Sequence, residues 1–201
     1  MPSSDEIQQY LTGAWRLLMG KPDGARLLDV SADGFWNSFF ALVVAFPALV
    51  VNWVAIANEL GDLGGDFGGR LSIVLRLAVI DLLAWVVPLL GLALVARRAG
   101  FADRYVHFVV ASNWASVLLA WLMLPLAILN LFVPGPSELN NVISLVVFLA
   151  ALVLTWRLTN AVLAKGAAVA TAVFVAVLFV SLFLILFLQG LFGLEGAQVS
   201  G

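Results

Sequence analysis

Between Phe35 and Gly190 the chain is almost continuously apolar, in five stretches that are each long enough to cross a bilayer. They run from about Phe35 to Ala57, Leu71 to Ala96, Tyr105 to Phe132, Leu139 to Asn160 and Ala167 to Leu188. A helix rises about 1.5 Å per residue, so roughly 20 residues cover the hydrocarbon core. All five stretches reach that length. Inside lipid no water satisfies a peptide group, so segments like these must be helical. Composition agrees: 63% of residues are hydrophobic and 11% charged, against about half and about a quarter in a soluble domain. A water-facing surface cannot absorb that excess. The expected fold is all-α, a polytopic membrane bundle of five transmembrane helices preceded by an amphipathic interfacial helix. Residues 1–33 form the cytoplasmic N-terminal segment, 34–190 the bundle and 191–201 a short external tail.

The N-terminal segment has its own signals. Ser3 and Glu6 have capping-box spacing at the start of a helix that ends near Gly20. Ile7, Tyr10, Leu11, Ala14, Trp15 and Leu18 share one face, and Gln8, Gln9, Thr12 and Arg16 the other. Such a helix either lies in the headgroup layer or packs on the cytoplasmic end of the bundle. Asp5, Glu6, Gln8 and Gln9 stand where a signal peptide needs an apolar core, so no cleavage is expected. Lys21-Pro22-Asp23-Gly24 reads as a turn.

Basic residues set the expected orientation. With the N-terminus cytoplasmic, Arg16, Lys21, Arg26, Arg97, Arg98, Arg104, Arg157 and Lys165 all lie inside, and Arg70 outside. That is the positive-inside pattern of a multi-pass protein of the cell (inner) membrane, N-terminus in and C-terminus out.

Asp81 is the first candidate for chemistry, because it lies well inside the second stretch. A carboxylate at that depth costs about 3 kcal/mol on insertion scales. It must face the bundle interior, find a partner or hold a proton. The functional reading is a proton-coupled or ion-coupled site; the structural one is a hydrogen bond that fixes helix packing. Arg76 lies nearer the outer boundary, and Asn52 in the first stretch sits at similar depth and within conceivable reach of it. Pro47, Pro88 and Pro125 interrupt the first three stretches and should kink them. Asn113, Asn130 and Asn160 are expected to join helices.

Ala164, Ala168, Ala172 and Ala176 recur every four residues as a small-residue stripe, a candidate packing face within the chain or between chains. Ser112, Ser116 and Ala120 have the same spacing. The first external loop holds two Asp-apolar-Gly-Gly units, at Asp62 and Asp66. With Glu59 these acids could face a hard cation, but the ligand alternation of a calcium loop is missing, and a solvated acidic loop is expected.

The same residues exclude several classes. A net charge of −2 does not suit a nucleic-acid partner. With no cysteine and a single histidine, His107, a conventional zinc site cannot be built. His107 reads as an interfacial or capping residue. One intramembrane aspartate is too few for an aspartyl protease, and no cofactor fingerprint is present. No cofactor and no enzymatic activity are expected.

The layout, with Gly34-Phe35-Trp36 entering a first span that holds Pro47, resembles the Yip1-type five-span membrane proteins. The longer tyrosine-containing signature of the eukaryotic members is absent, so no functional residue carries over. The resemblance implies membrane organisation or interaction rather than catalysis. The expected role is therefore non-enzymatic: an organising or interaction protein of the lipid bilayer, with a homo-oligomer or another membrane protein as partner. The rival roles are a small-solute or ion transporter or channel component that uses Asp81, and an accessory subunit of a larger complex.

Overall fold

A computed structural model describes residues 1–60, 66–132 and 138–194. Asp62 with the first Gly-Gly pair, the Pro134-Gly135-Pro136 segment and the end of the tail lie outside the described residues. Among those described, regular structure is entirely helical: α1 Ser4–Leu18, α2 Ala32–Ser38, α3 Ala41–Glu59, α4 Phe67–Val95, α5 Tyr105–Phe132, α6 Glu138–Leu163 and α7 Ala167–Leu191. Short 3-10 helices cover Pro22–Leu27 and Ala102–Arg104. Five units are long and apolar enough to cross a membrane, the first being α2 and α3 together. The all-α five-span architecture is thus the one expected.

The first span is broken near its start. Phe39, Phe40, Leu42 and Val43 donate to the carbonyls three residues back, a 3-10 tightening between α2 and α3. The break coincides with Ser38, which is fully buried and whose hydroxyl donates to Phe35 O at 2.7 Å. Asn113 Nδ2 of α5 in turn donates to Ser38 Oγ at 2.8 Å. Neither Gly nor Pro marks this break, so periodicity alone runs through it.

The spans form a closed ring. α3 packs on α4 and α5, α5 on α6, α6 on α7, and α7 returns to α4. Lipid offers no hydrophobic force to drive the centre shut, and association rests on packing and interhelical hydrogen bonds. The prolines show how those bonds are placed. Pro88 has no N–H, so it leaves the Ala84 carbonyl without its helical donor; Ser181 Oγ of α7 donates to that oxygen at 3.0 Å. In α3 Pro47 frees the Val43 carbonyl, and Trp121 Nε1 of α5 donates to the adjacent Val44 O at 3.2 Å. Asn140 Nδ2 of α6 donates to Asn130 Oδ1 of α5 at 3.3 Å. Asn113 and Asn130 therefore join helices, as their positions suggested.

α1 closes one end of the ring. Ser3 and Glu6 form the capping box. Tyr10, Ala14, Leu17 and Leu18 are buried, and the helix packs on α5 and α6. Of the two placements open to this amphipathic helix, docking on the end of the bundle describes its apolar face. Trp15, grouped with that face by periodicity, is 52% exposed, while Leu17 takes the inward position. The Tyr10 and Trp114 rings lie 5.2 Å apart at the α1–α5 contact. Burial among these apolar groups raises the Tyr10 phenol above its ordinary pKa.

Two glycines make the turn after α1 possible. A Cβ on Gly13 would come within 2.8 Å of Gly24 O, and one on Gly24 within 2.4 Å of Gly13 O. The Pro22–Leu27 turn thus lies backbone to backbone on α1, clamped by an Arg16–Asp23 ion pair. Arg157 of α6 packs on Gly20, whose φ of 75° only glycine adopts freely. Lys165 pairs with Asp103 at 3.0 Å. Gly13→Val should lower stability by about 1–3 kcal/mol through overpacking, read as an earlier unfolding transition in detergent. An unchanged transition would show that the turn does not need this close approach.

Candidate functional site

The ring encloses a mostly apolar cavity of about 490 Å³. Its walls come from α3 (Phe46, Trp53), α4 (Asp81, Trp85), α5 (Ser116) and α7 (Ser181). Phe46 and Leu82 line it and are also 51% and 43% exposed, so it opens sideways between α3 and α4. A smaller cavity of about 180 Å³ continues toward α1, sharing Ala84, Trp85, Ser116 and Ser181 with the first. Leu18 of α1 lies at its far end.

Asp81 faces this interior, as a carboxylate at that depth must. Its Oδ2 accepts a 2.6 Å hydrogen bond from Trp53 Nε1. Its other oxygen receives no donor among the described residues. Trp53 is 6% exposed, so the indole is held by its surroundings and aims its N–H at one fixed point. The Phe46 and Trp53 rings meet edge to face at 6.1 Å. Trp53 lies near the end of the first apolar stretch. Only the α3–α4 packing, which joins residues 28 apart, gives it this role.

The two hydroxyls of the walls are tied to backbone. Ser116 Oγ donates to Asn113 O at 2.7 Å, and Ser181 Oγ to Ala84 O. Trp85 Nε1 is sealed from solvent with no acceptor among the described residues. Among the described residues no cluster of acids and histidines could hold a metal. Asp66, one acid of the loop between α3 and α4, instead caps α4, accepting from Gly69 N at 2.9 Å. His107 sits in the first turn of α5 and lines neither cavity, with Nδ1 buried and without a partner among the described residues.

Arg76 and Asn52 do not join Asp81. Arg76 Nη1 donates to Phe192 O at 2.8 Å, capping the C-terminal end of α7, where a cation is favoured by the helix dipole. No Asn52–Arg76 bond forms among the described residues. The chain beyond α7 folds back far enough to bury Leu194 against Trp53, Ile73 and Leu77, so the tail is packed over its first residues.

The alanine stripe is also corrected in part. Ala164 is not helical: α6 ends at Leu163, α7 starts at Ala167, and Ala164 has φ 51° between them. Ala168, Ala172 and Ala176 are all exposed on α7, so they are not a buried packing face among the described residues. The Ser112–Ser116–Ala120 row is the inward one, lining the cavities.

Family models, curated protein sequences and solved structures were compared with the chain, and none matches. The site's chemistry is therefore read from its own residues. Ser181→Ala should cost about 0.6 kcal/mol, the average for an interhelical hydrogen bond in lipid. In a Pro88→Ala background, where the helix supplies its own donor to Ala84 O, that cost should shrink. An equal loss in both backgrounds would show that Ser181 does not serve the carbonyl freed by Pro88.

Proposed function

We propose that this integral membrane protein is a non-enzymatic carrier or channel component for a small solute, held inside the helix ring with Asp81 as its polar anchor. One observation carries the reading: the intramembrane carboxylate borders an open cavity instead of being sealed among side chains. A purely structural aspartate would have both oxygens engaged, because an unpaired buried acceptor is costly. Here one oxygen is fixed by Trp53 and the other is left to the cavity. Pro47 and Pro88 interrupt α3 and α4, the helices that carry Trp53 and Asp81, and broken helices beside a cavity are how transporters bring polar groups to mid-membrane.

The absence of native cysteine makes the test direct. Ala120→Cys, on the cavity wall, should react with N-ethylmaleimide at alkaline pH in liposome-embedded protein. Ala127→Cys, on the same helix but 5% exposed, should not. Asp81→Asn should keep the helical fold and the labelling pattern. Equal protection of both cysteines would remove the cavity from this account.

A second reading, in which the chain organises or joins a larger assembly, is favoured by the outward Ala168, Ala172 and Ala176. Small side chains there leave room for a close helix from another subunit. Ala172→Leu should then reduce the oligomer size measured in mild detergent, and an unchanged size would discard that interface.

A further inference from the structure

The cavity's charge is unbalanced, and that imbalance points to an occupant. Of the described residues lining it only Asp81 is ionisable: the others on α3, α4, α5 and α7 are apolar, aromatic or hydroxylic. Arg76 and Arg70 on α4 and Glu59 on α3 do not line it, and Arg76 is committed to Phe192 O. A carboxylate in such surroundings must hold a proton or face a cation.

The walls narrow the choice of cation. A hard metal ion needs six or so oxygen ligands, and no ligand cluster exists among the described residues. An ammonium ion with several N–H groups needs several acceptors, and beside the one spare Asp81 oxygen the lining side chains offer only the lone pairs of the Ser116 and Ser181 hydroxyls, whose protons go to backbone, in a wall otherwise apolar or aromatic. A quaternary ammonium has no N–H to satisfy. Its methyl groups suit apolar walls, and its diffuse charge is attracted to aromatic faces. Phe46, Trp53 and Trp85 supply those rings beside the carboxylate. The sideways opening between α3 and α4 would admit a lipid-soluble cation from the bilayer.

Resting on the carrier reading above, we propose that the cavity takes a small quaternary ammonium ion with an aromatic or aliphatic body. Its charge sits against the free oxygen of Asp81, and its body lies among Phe46, Trp53 and Trp85. A proton on that oxygen and the cation exclude each other.

Equilibrium dialysis of protein in lipid nanodiscs, with empty nanodiscs as blank, tests this using radiolabelled phenyltrimethylammonium and its neutral isostere tert-butylbenzene. Wild-type protein should hold the cation about tenfold more tightly than the neutral compound, a preference that one ring-face contact together with one carboxylate can supply. Cation binding should fall as acid protonates Asp81, while neutral binding stays level. Asp81→Asn should lose the preference and the pH dependence, and Asp81→Glu should keep both. Equal binding of the two compounds by wild-type protein at every pH would overturn the cation assignment and leave the cavity reading standing. A cation preference that survives in Asp81→Asn would also overturn it, placing the ion elsewhere. Binding of neither compound would overturn both readings.

Discussion

A peptide carbonyl left open inside a bilayer has no water to turn to, and this constraint organises the molecule. Regular helix satisfies most of the chain by itself. The exceptions are where the tertiary structure is written. Pro88 opens Ala84 O and Ser181 reaches across from α7; Pro47 loosens α3 and Trp121 reaches across from α5. Each contact also joins two helices that are distant in sequence, and at Ala84 O satisfying the backbone and joining α4 to α7 are one event.

A ring held this way does not need a filled centre. In water an apolar hollow would be driven to collapse, but lipid is as apolar as the side chains and exerts no such pressure. Hydrogen bonds at the rim and small residues on α5 therefore leave space inside. That space borders Asp81, the one carboxylate placed deep in the apolar stretches. The pairing with Trp53 uses one oxygen and holds the side chain in place, and the lack of a cation among the described lining residues gives the cavity its chemical character. α1 belongs to the same design: Tyr10, Leu17 and Leu18 close one end, and the Gly13–Gly24 approach fastens the turn that follows.

Much of the fold was legible because lipid simplifies the code. The third span, Tyr105–Phe132, has the ends that hydropathy assigns it, and the others differ from theirs by a few residues. The break after Ser38 was not legible, since it follows from a buried bond to Asn113 rather than from Gly or Pro. Ala164 misled because a four-residue spacing continues through a chain reversal that spacing cannot register. Arg76 was placed near Asn52 by depth, yet depth says nothing of azimuth, and packing turned Arg76 toward the end of α7.

What the chain determined alone was its solvent, its helicity, the number of spans and the depth of each polar residue, because transfer into hydrocarbon is a local property summed along one segment. Which faces meet was decided only in three dimensions. The Trp53–Asp81 bond, the ring order, the cavity and the outward alanines all depend on how helices rotate about their axes. In segments apolar on every side no amphipathic stripe encodes that rotation, and a few hydrogen bonds between distant residues set it instead.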